Sequence, residues 1–168
     1  MPARDILKNY NLFVDGRGYA GVVTEYNAPE LAVQGDEHRA GGMDAPVDID
    51  MGMEKMEASF SLAAVDHHVM RSFGLAEGQE VPLTLRGAIE SYQGGVTPVV
   101  HSMRGKIMRV APGAWQPGQK PTMQITVSLN YFRQEIDGEV IHEIDVINMI
   151  RIINGTDQLA EQRAAIGL

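Results

Sequence analysis

Cysteine is absent, so the chain can hold no disulfide, thiolate nucleophile or cysteine-ligated metal, and this fits folding in a reducing compartment. Basic side chains are outnumbered, with 14 Lys and Arg against 22 Asp and Glu and a net charge of −8. That balance argues against nucleic-acid binding by counterion release from a basic face and against docking on anionic lipid, and it disfavours acidic substrates. Long apolar runs are missing too. Nothing approaches the ~18 to 20 residues of a membrane span, and residues 1–10 lack the charged-then-apolar layout of a signal peptide. The chain also has no internal repeat and no low-complexity segment. A soluble protein made in a cytoplasm, without a membrane anchor, is expected.

What is present is alternation. At 168 residues the chain suits a single domain, 1–168, because a domain near this size buries roughly 70% of its unfolded surface. Its organising stretch is 31–62, LAVQGDEHRAGGMDAPVDIDMGMEKMEASFSL. There Val47, Ile49, Met51 and Met53 alternate with Asp48, Asp50, Gly52 and Glu54, the period of a half-buried strand. The apolar set then moves to Met56, Ala58, Phe60 and Leu62. That slip predicts a β-bulge near Glu54 and Lys55 in one long, bent strand whose apolar side faces the core. Residues 31–38 are its expected partner in a long hairpin, joined through the loop 39–46, whose Ala40, Gly41, Gly42 and Ala45 allow close backbone approach.

Residues 1–9 look like an N-terminal arm, and 11–15 with 19–26 like a first hairpin around Asp15, Gly16, Arg17 and Gly18. Asp66 is placed to cap a short mid-chain helix with Val69, Met70 and Phe73 as its apolar stripe and Gly74 at its end. Two strands, 81–92 and 96–110, flank Gly94 and Gly95. The following 111–121, with three prolines and two glycines, must be a loop, and Trp115 is its one expected anchor. Residues 122–132 read as the cleanest strand, with Met123, Ile125, Val127, Leu129 and Tyr131 facing in. Asp137-Gly138 then supplies the positive φ angles of a type I′ turn into 139–145. Residues 146–153 are β-branched and suit either a strand or a helix, and 157–165 reads as a C-terminal helix. The pattern is mainly β, an antiparallel sandwich or barrel.

Signals of chemistry are weak. Residues 16–21 spell GxGxxG, but Val22, Val23, Thr24 and Tyr26 continue as strand where a dinucleotide site needs a helix N-terminus. Asp48, Asp50, Glu54 and Glu57 fail the calcium-loop spacing because Gly52 takes the third ligand position, so they read as a solvated acidic face. His67 and His68 are adjacent on a helix and cannot chelate one metal. Asn154-Gly155-Thr156 matches a glycosylation sequon without a secretory route. His101 and His142 show no serine or carboxylate partner in sequence, and no catalytic site, metal or cofactor is expected. Met51, Met53 and Met56 read as core gap-fillers, whereas Met43, in the glycine-rich loop, reads either as a contact for another chain or as loop packing.

Two runs carry a resemblance: HRAGGMDAPVDIDMGMEKMEASF, and EIDVINMIRIINGTDQLAEQRAAIGL at the far end. With nearly all of the chain, they resemble the major tail tube proteins of contractile-tailed bacteriophages and of R-type tailocins (pyocins). The resemblance implies a small tail-tube β-sandwich assembled into homohexameric rings, stacked into a tube that sheath contraction drives through a target envelope. It implies that 31–38 and 47–61 form a hairpin lining the channel, with Asp48, Asp50, Glu54 and Glu57 facing the lumen. It further implies that Arg39, Ala40, Gly41, Gly42, Met43 and Asp44 belong to the ring-to-ring loop. In the C-terminal segment 146–168 and just before it, Glu143, Asp145, Asn148, Met149, Asn154, Asp157 and Leu168 match the family's pattern at a subunit or ring interface. The partners implied are a sheath protein outside, baseplate and tail terminator proteins at the ends, and tape measure protein and DNA in the lumen without specific binding. Assembly would take place in the bacterial host cytoplasm. Two alternatives remain: a tube or effector carrier like that of type VI secretion, and a soluble β-barrel binding module.

Overall fold

The computed structural model describes residues 5–168. In chain order the elements are β1 (Ile6–Val14), β2 (Arg17–Gly18), β3 (Val23–Asn27), β4 (Val33–His38), β5 (Val47–Met53), β6 (Met56–Leu62), α1 (His67–Arg71), β7 (Val81–Glu90), β8 (Val96–Ala111), β9 (Met123–Ile136), β10 (Glu139–Asp145), β11 (Ile150–Ile153), β12 (Thr156–Asp157) and α2 (Ala160–Ile166). The architecture is mainly β and antiparallel, with two short helices. Ten strands form one sheet in the order β12-β11-β10-β9-β8-β7-β1-β2, with β6 added to β9 and β3 to β6, while β4 and β5 form a separate ribbon.

The sheet forks along β9. One edge of this strand pairs with β8 over nearly its full length; the other pairs with β6 through Leu129 and with β10 from Tyr131 onward. The two branches enclose one core, in which Phe60, Leu62, Met123, Ile125, Val127 and Leu12 are buried together with Val69 of α1. The alternation in β6 and in the first half of β9 matches that burial residue for residue. It fails at the fork. Gly105 pairs with Leu129 and Arg104 with Tyr131, so Asn130 is an extra residue, and the inward side chain beyond it is Phe132 while Tyr131 turns outward. Gly105 permits this bulge, since a Cβ there would collide with the carbonyl oxygen of Ser128 and lie 2.9 Å from Leu129 Cα.

Other expectations change for local reasons. Residues 1–4 of the expected N-terminal arm lie outside the described residues, and from Ile6 the chain is already β1, paired with β7. The first hairpin is only two residues deep: Asp15 and Gly16 turn it with φ of 49° and 77°, β2 returns briefly, and β3 leaves to pair with β6. Asp66 caps α1 by accepting the His68 and Val69 N–H groups, but Met70 and Phe73 are exposed and only Val69 is buried. Trp115 does not anchor its loop; it is 69% exposed. Residues 146–149 are a turn leading into β11, which settles the strand-or-helix alternative, and both Asp137-Gly138 and Asn154-Gly155 adopt paired positive φ angles.

Candidate assembly surface

The β4–β5 ribbon forms as expected, with His38 opposite Val47 and Asp36 opposite Ile49, but it shares no backbone ladder with the rest of the chain. Its bulge lies earlier than predicted. Val33 pairs with Met53 and Gly35 with Asp50, which puts the extra residue at Met51 and Gly52, where Gly52 has φ of 106°. Val47, Ile49 and Met51 are therefore not core residues. They are 50%, 46% and 60% exposed, an alternating apolar stripe that the described residues leave about half uncovered, whereas Met53 is half-buried and Met56 fully buried. At the tip the Met43 N–H donates to the Ala40 carbonyl at 3.2 Å and the Ala40 N–H donates to the Met43 sulfur at 3.3 Å, so Met43 packs on its own turn. Arg39, Ala40, Gly41, Gly42 and Asp44 around it are exposed.

The four acidic candidates do not form one row. Asp48 is exposed on β5 opposite Glu37. Asp50 turns toward the body, where its carboxylate accepts the Gly52 N–H at 2.8 Å and a hydrogen bond from Arg151 at 2.8 Å. Those two donors, Gly52 first, hold its carboxyl below the ordinary range. Glu54 is exposed between the strands. Glu57 pairs with Lys55 at 2.6 Å and belongs to the outward face of β6 and β9, beside Ser59, Thr126 and Ser128.

The C-terminal candidates hold one another. Asp145, buried, accepts the Asn148 N–H at 3.0 Å and its side-chain amide at 2.7 Å, with Arg104 3.8 Å away. Arg104 also lies 4.3 Å above the Tyr131 ring, and the Tyr131 hydroxyl donates to Glu143 at 3.0 Å. Asp157 pairs with Arg163 at 2.6 Å and accepts the Leu159 N–H at 3.0 Å, and these donors lower its pKa. Arg163 reaches the Met149 carbonyl at 2.8 Å, pinning a turn in which Met149 has φ of 53°. Asn154 sits in the type I′ turn with φ of 50°. Leu168, Ile166, Val146 and Ile147 are the apolar side chains this segment exposes. Between the ribbon base, β10 and α2 runs a cleft of about 660 Å³ lined by Met53, Ile144, Met149, Ile150 and Leu159. Arg104, Arg151 and Arg163 are not singled out from sequence, and Tyr131 is read there only as an inward-facing core residue. Their partners are far away in the chain or were read only for the family's pattern.

His101 is a core residue. Its Nδ1 lies 3.0 Å from the Tyr26 hydroxyl and its ring meets Phe132 edge-on, and burial pushes its pKa down. His142 contacts Gln134 Oε1 at 3.2 Å. Among the described residues neither is hydrogen-bonded to a serine or a carboxylate, and no three His, Asp or Glu converge on one point. The arrangement leaves apolar side chains exposed on β5 and in the C-terminal segment.

Comparison with known proteins agrees. A tail tube protein of Escherichia phage P2 is 33% identical over 166 residues, covering 96% of each chain, and a major tail tube protein of Serratia phage KSP20 is 26% identical, covering 86% of this chain and 84% of its own. The solved structure of the Dit protein of phage SPP1 overlaps 76% of this chain and 53% of its own, at 11% identity and a TM-score of 0.45. The family described as phage tail tube protein FII matches residues 4–167, so the chain belongs to that family and is a structural component of a phage tail tube, not an enzyme.

Proposed function

We propose that this protein assembles into stacked hexameric rings forming the inner tube of a contractile phage tail or an R-type tailocin, and that sheath contraction drives this tube through the target envelope. The observation that carries the proposal is the β4–β5 ribbon. A two-stranded ribbon is marginal in water, and this one presents an uncovered apolar stripe, Val47, Ile49 and Met51, together with free ladder edges. A neighbouring copy supplies both the apolar cover and the missing hydrogen bonds. In this reading the turn at Met43 meets the next ring. The exposed Val146, Ile147, Ile166 and Leu168 lie at subunit contacts, the sheath covers the outer wall, and baseplate and terminator proteins close the ends.

Asp48, Glu54 and Glu57 face the channel in this reading, and Asp50 lies at its margin, turned toward Arg151. Glu57 brings with it the hydroxyl-rich face of Ser59, Thr126 and Ser128, while Arg151 neutralises Asp50 and Lys55 neutralises Glu57, so Asp48 and Glu54 set the charge of the wall. Six copies, each at −8, carry about −48 per ring, which repels a polyanion instead of retaining it. Analytical ultracentrifugation and negative-stain microscopy of the purified chain test the assembly; monomers alone at high concentration refute it. Cryo-electron microscopy of a tube carrying Asp48→Lys and Glu57→Lys tests the wall, which is wrongly assigned if those side chains lie on the outside.

A further inference from the structure

We propose that Arg151 is a positioning residue that sets the direction of the β4–β5 ribbon for assembly, through its ion pair with Asp50 at the ribbon base. The proposal rests on the assembly reading above and names the device that makes the ribbon competent. Sequence supplies no hint of it, because the two residues stand 101 positions apart.

The ribbon joins the body through the chain at its base, where the Glu54 N–H donates to the Ala32 carbonyl, and through the packing of Met53 against the core. Among the described residues, Asp50 to Arg151 is the one side-chain hydrogen bond between ribbon and body. Its placement is specific. Asp50 also accepts the Gly52 N–H, so the pair grips the bulge where the strand bends. The Arg151 side chain is mostly covered, at 14% exposure, and its backbone is held on two sides: by β10, where it stands opposite Ile144, and by the Gln158 N–H, which donates to its carbonyl at 2.8 Å. Next to it in the ladder, Ile152 stands opposite Asp157, whose carboxylate is tied to Arg163 of α2. The strand that carries Arg151 is thus anchored to the C-terminal helix.

Geometry makes the base the sensitive point. About five residues separate Asp50 from the turn, which at ~3.3 Å per residue puts the tip roughly 17 Å away. A swing of about 10° at the base moves the tip by about 3 Å, far beyond the ~0.5 Å tolerance of a well-packed contact. The pair is half open to water on the Asp50 side, so it adds little to folding while still restricting direction.

The test compares wild type with Arg151→Met, which keeps the stem and removes the charge, and with Arg151→Lys. Arg151→Met is expected to raise the critical concentration for tube formation at least tenfold and to speed amide exchange in β4 and β5, with exchange in β8 and β9 and the melting temperature nearly unchanged. Arg151→Lys is expected to restore assembly to within about threefold, since a single ammonium still reaches the carboxylate but without the guanidinium's fork. Added salt should weaken assembly of the wild type more than of Arg151→Met. Assembly of Arg151→Met at the wild-type concentration, or its loss only together with global unfolding, overturns the proposal. If the wild type forms no tubes, the assembly reading fails, and unchanged ribbon exchange in Arg151→Met would separately overturn the positioning role.

Discussion

Replacing both Val47 and Ile49 by Thr tests where the apolar stripe on β5 belongs. Threonine is β-branched and keeps the strand propensity, so the substitution changes what the face offers a neighbour more than the ribbon itself. In the subunit the two side chains are 50% and 46% exposed. Surface changes of this kind usually move folding stability by no more than about 0.5 kcal/mol. On the proposed assembly a neighbouring copy covers the exposed half of each. Full burial of such a side chain is worth ~1.5 to 3 kcal/mol, so the remaining half contributes about 1 kcal/mol per residue. The hydroxyl introduced into a desolvated contact adds a further cost where no partner meets it, giving a loss of about 2 to 3 kcal/mol per subunit added. At 1.4 kcal/mol per tenfold, the critical concentration should rise about 30- to 150-fold. Sedimentation over a concentration series reads that shift, and urea unfolding of the subunit reads the control. An unchanged critical concentration would show that no neighbour covers the stripe. A subunit destabilised by more than ~2 kcal/mol would place the stripe in the chain's own core.

Three further outcomes are expected. Gly105→Ala forces a Cβ against the Ser128 carbonyl and Leu129 Cα, and should cost ~3 kcal/mol or more in urea unfolding because backbone atoms cannot rotate away; a loss below about 1 kcal/mol would mean the fork at Asn130 relaxes freely. Burial holds His101 neutral in the fold, while unfolded it titrates near the ordinary ~6.5, so its contribution is complete above that pH and is lost as pH falls toward the depressed folded value. The urea midpoint should drop between pH 7 and 5, and His101→Gln, which can still meet Tyr26, should flatten that dependence. Met43→Asp should shorten tubes while leaving the melting temperature nearly unchanged, since a carboxylate can accept the Ala40 N–H in place of the sulfur; a fall in melting temperature with unchanged tube length would return Met43 to the subunit's own packing.

The part of the fold that was legible in sequence is the part where one chain buries one face. Met56, Ala58, Phe60 and Leu62 are buried as their alternation implies, and so are Met123 through Leu129, because a period of two has only one way to meet a core. Tyr131 was misplaced because the phase of β9 is set across the ladder, at Gly105, and no pattern along β9 itself reveals a bulge imposed by its partner. Trp115 was misplaced because an isolated aromatic in a loop carries no period at all. The pair of Arg151 and Asp50 is illegible for a third reason: the two stand 101 positions apart and meet only once β11 is in place on β10.

Val47, Ile49 and Met51 show a more instructive failure. Their alternation is as regular as that of β6, yet the bulge at Gly52 and the break at Glu54 and Lys55 separate two stretches with different fates. Hydrophobic period reports that a face will be covered and says nothing about which molecule covers it. In β6 the cover is β9 and the core beneath it; in β5 the described residues leave about half of each apolar side chain open. The same signal running through both stretches therefore divides the chain into a body whose apolar face is covered from within and a ribbon that, on the proposed assembly, another copy completes. On that proposal the consequences of assembly concentrate in the few residues, Asp50 and Arg151 among them, that join the two parts.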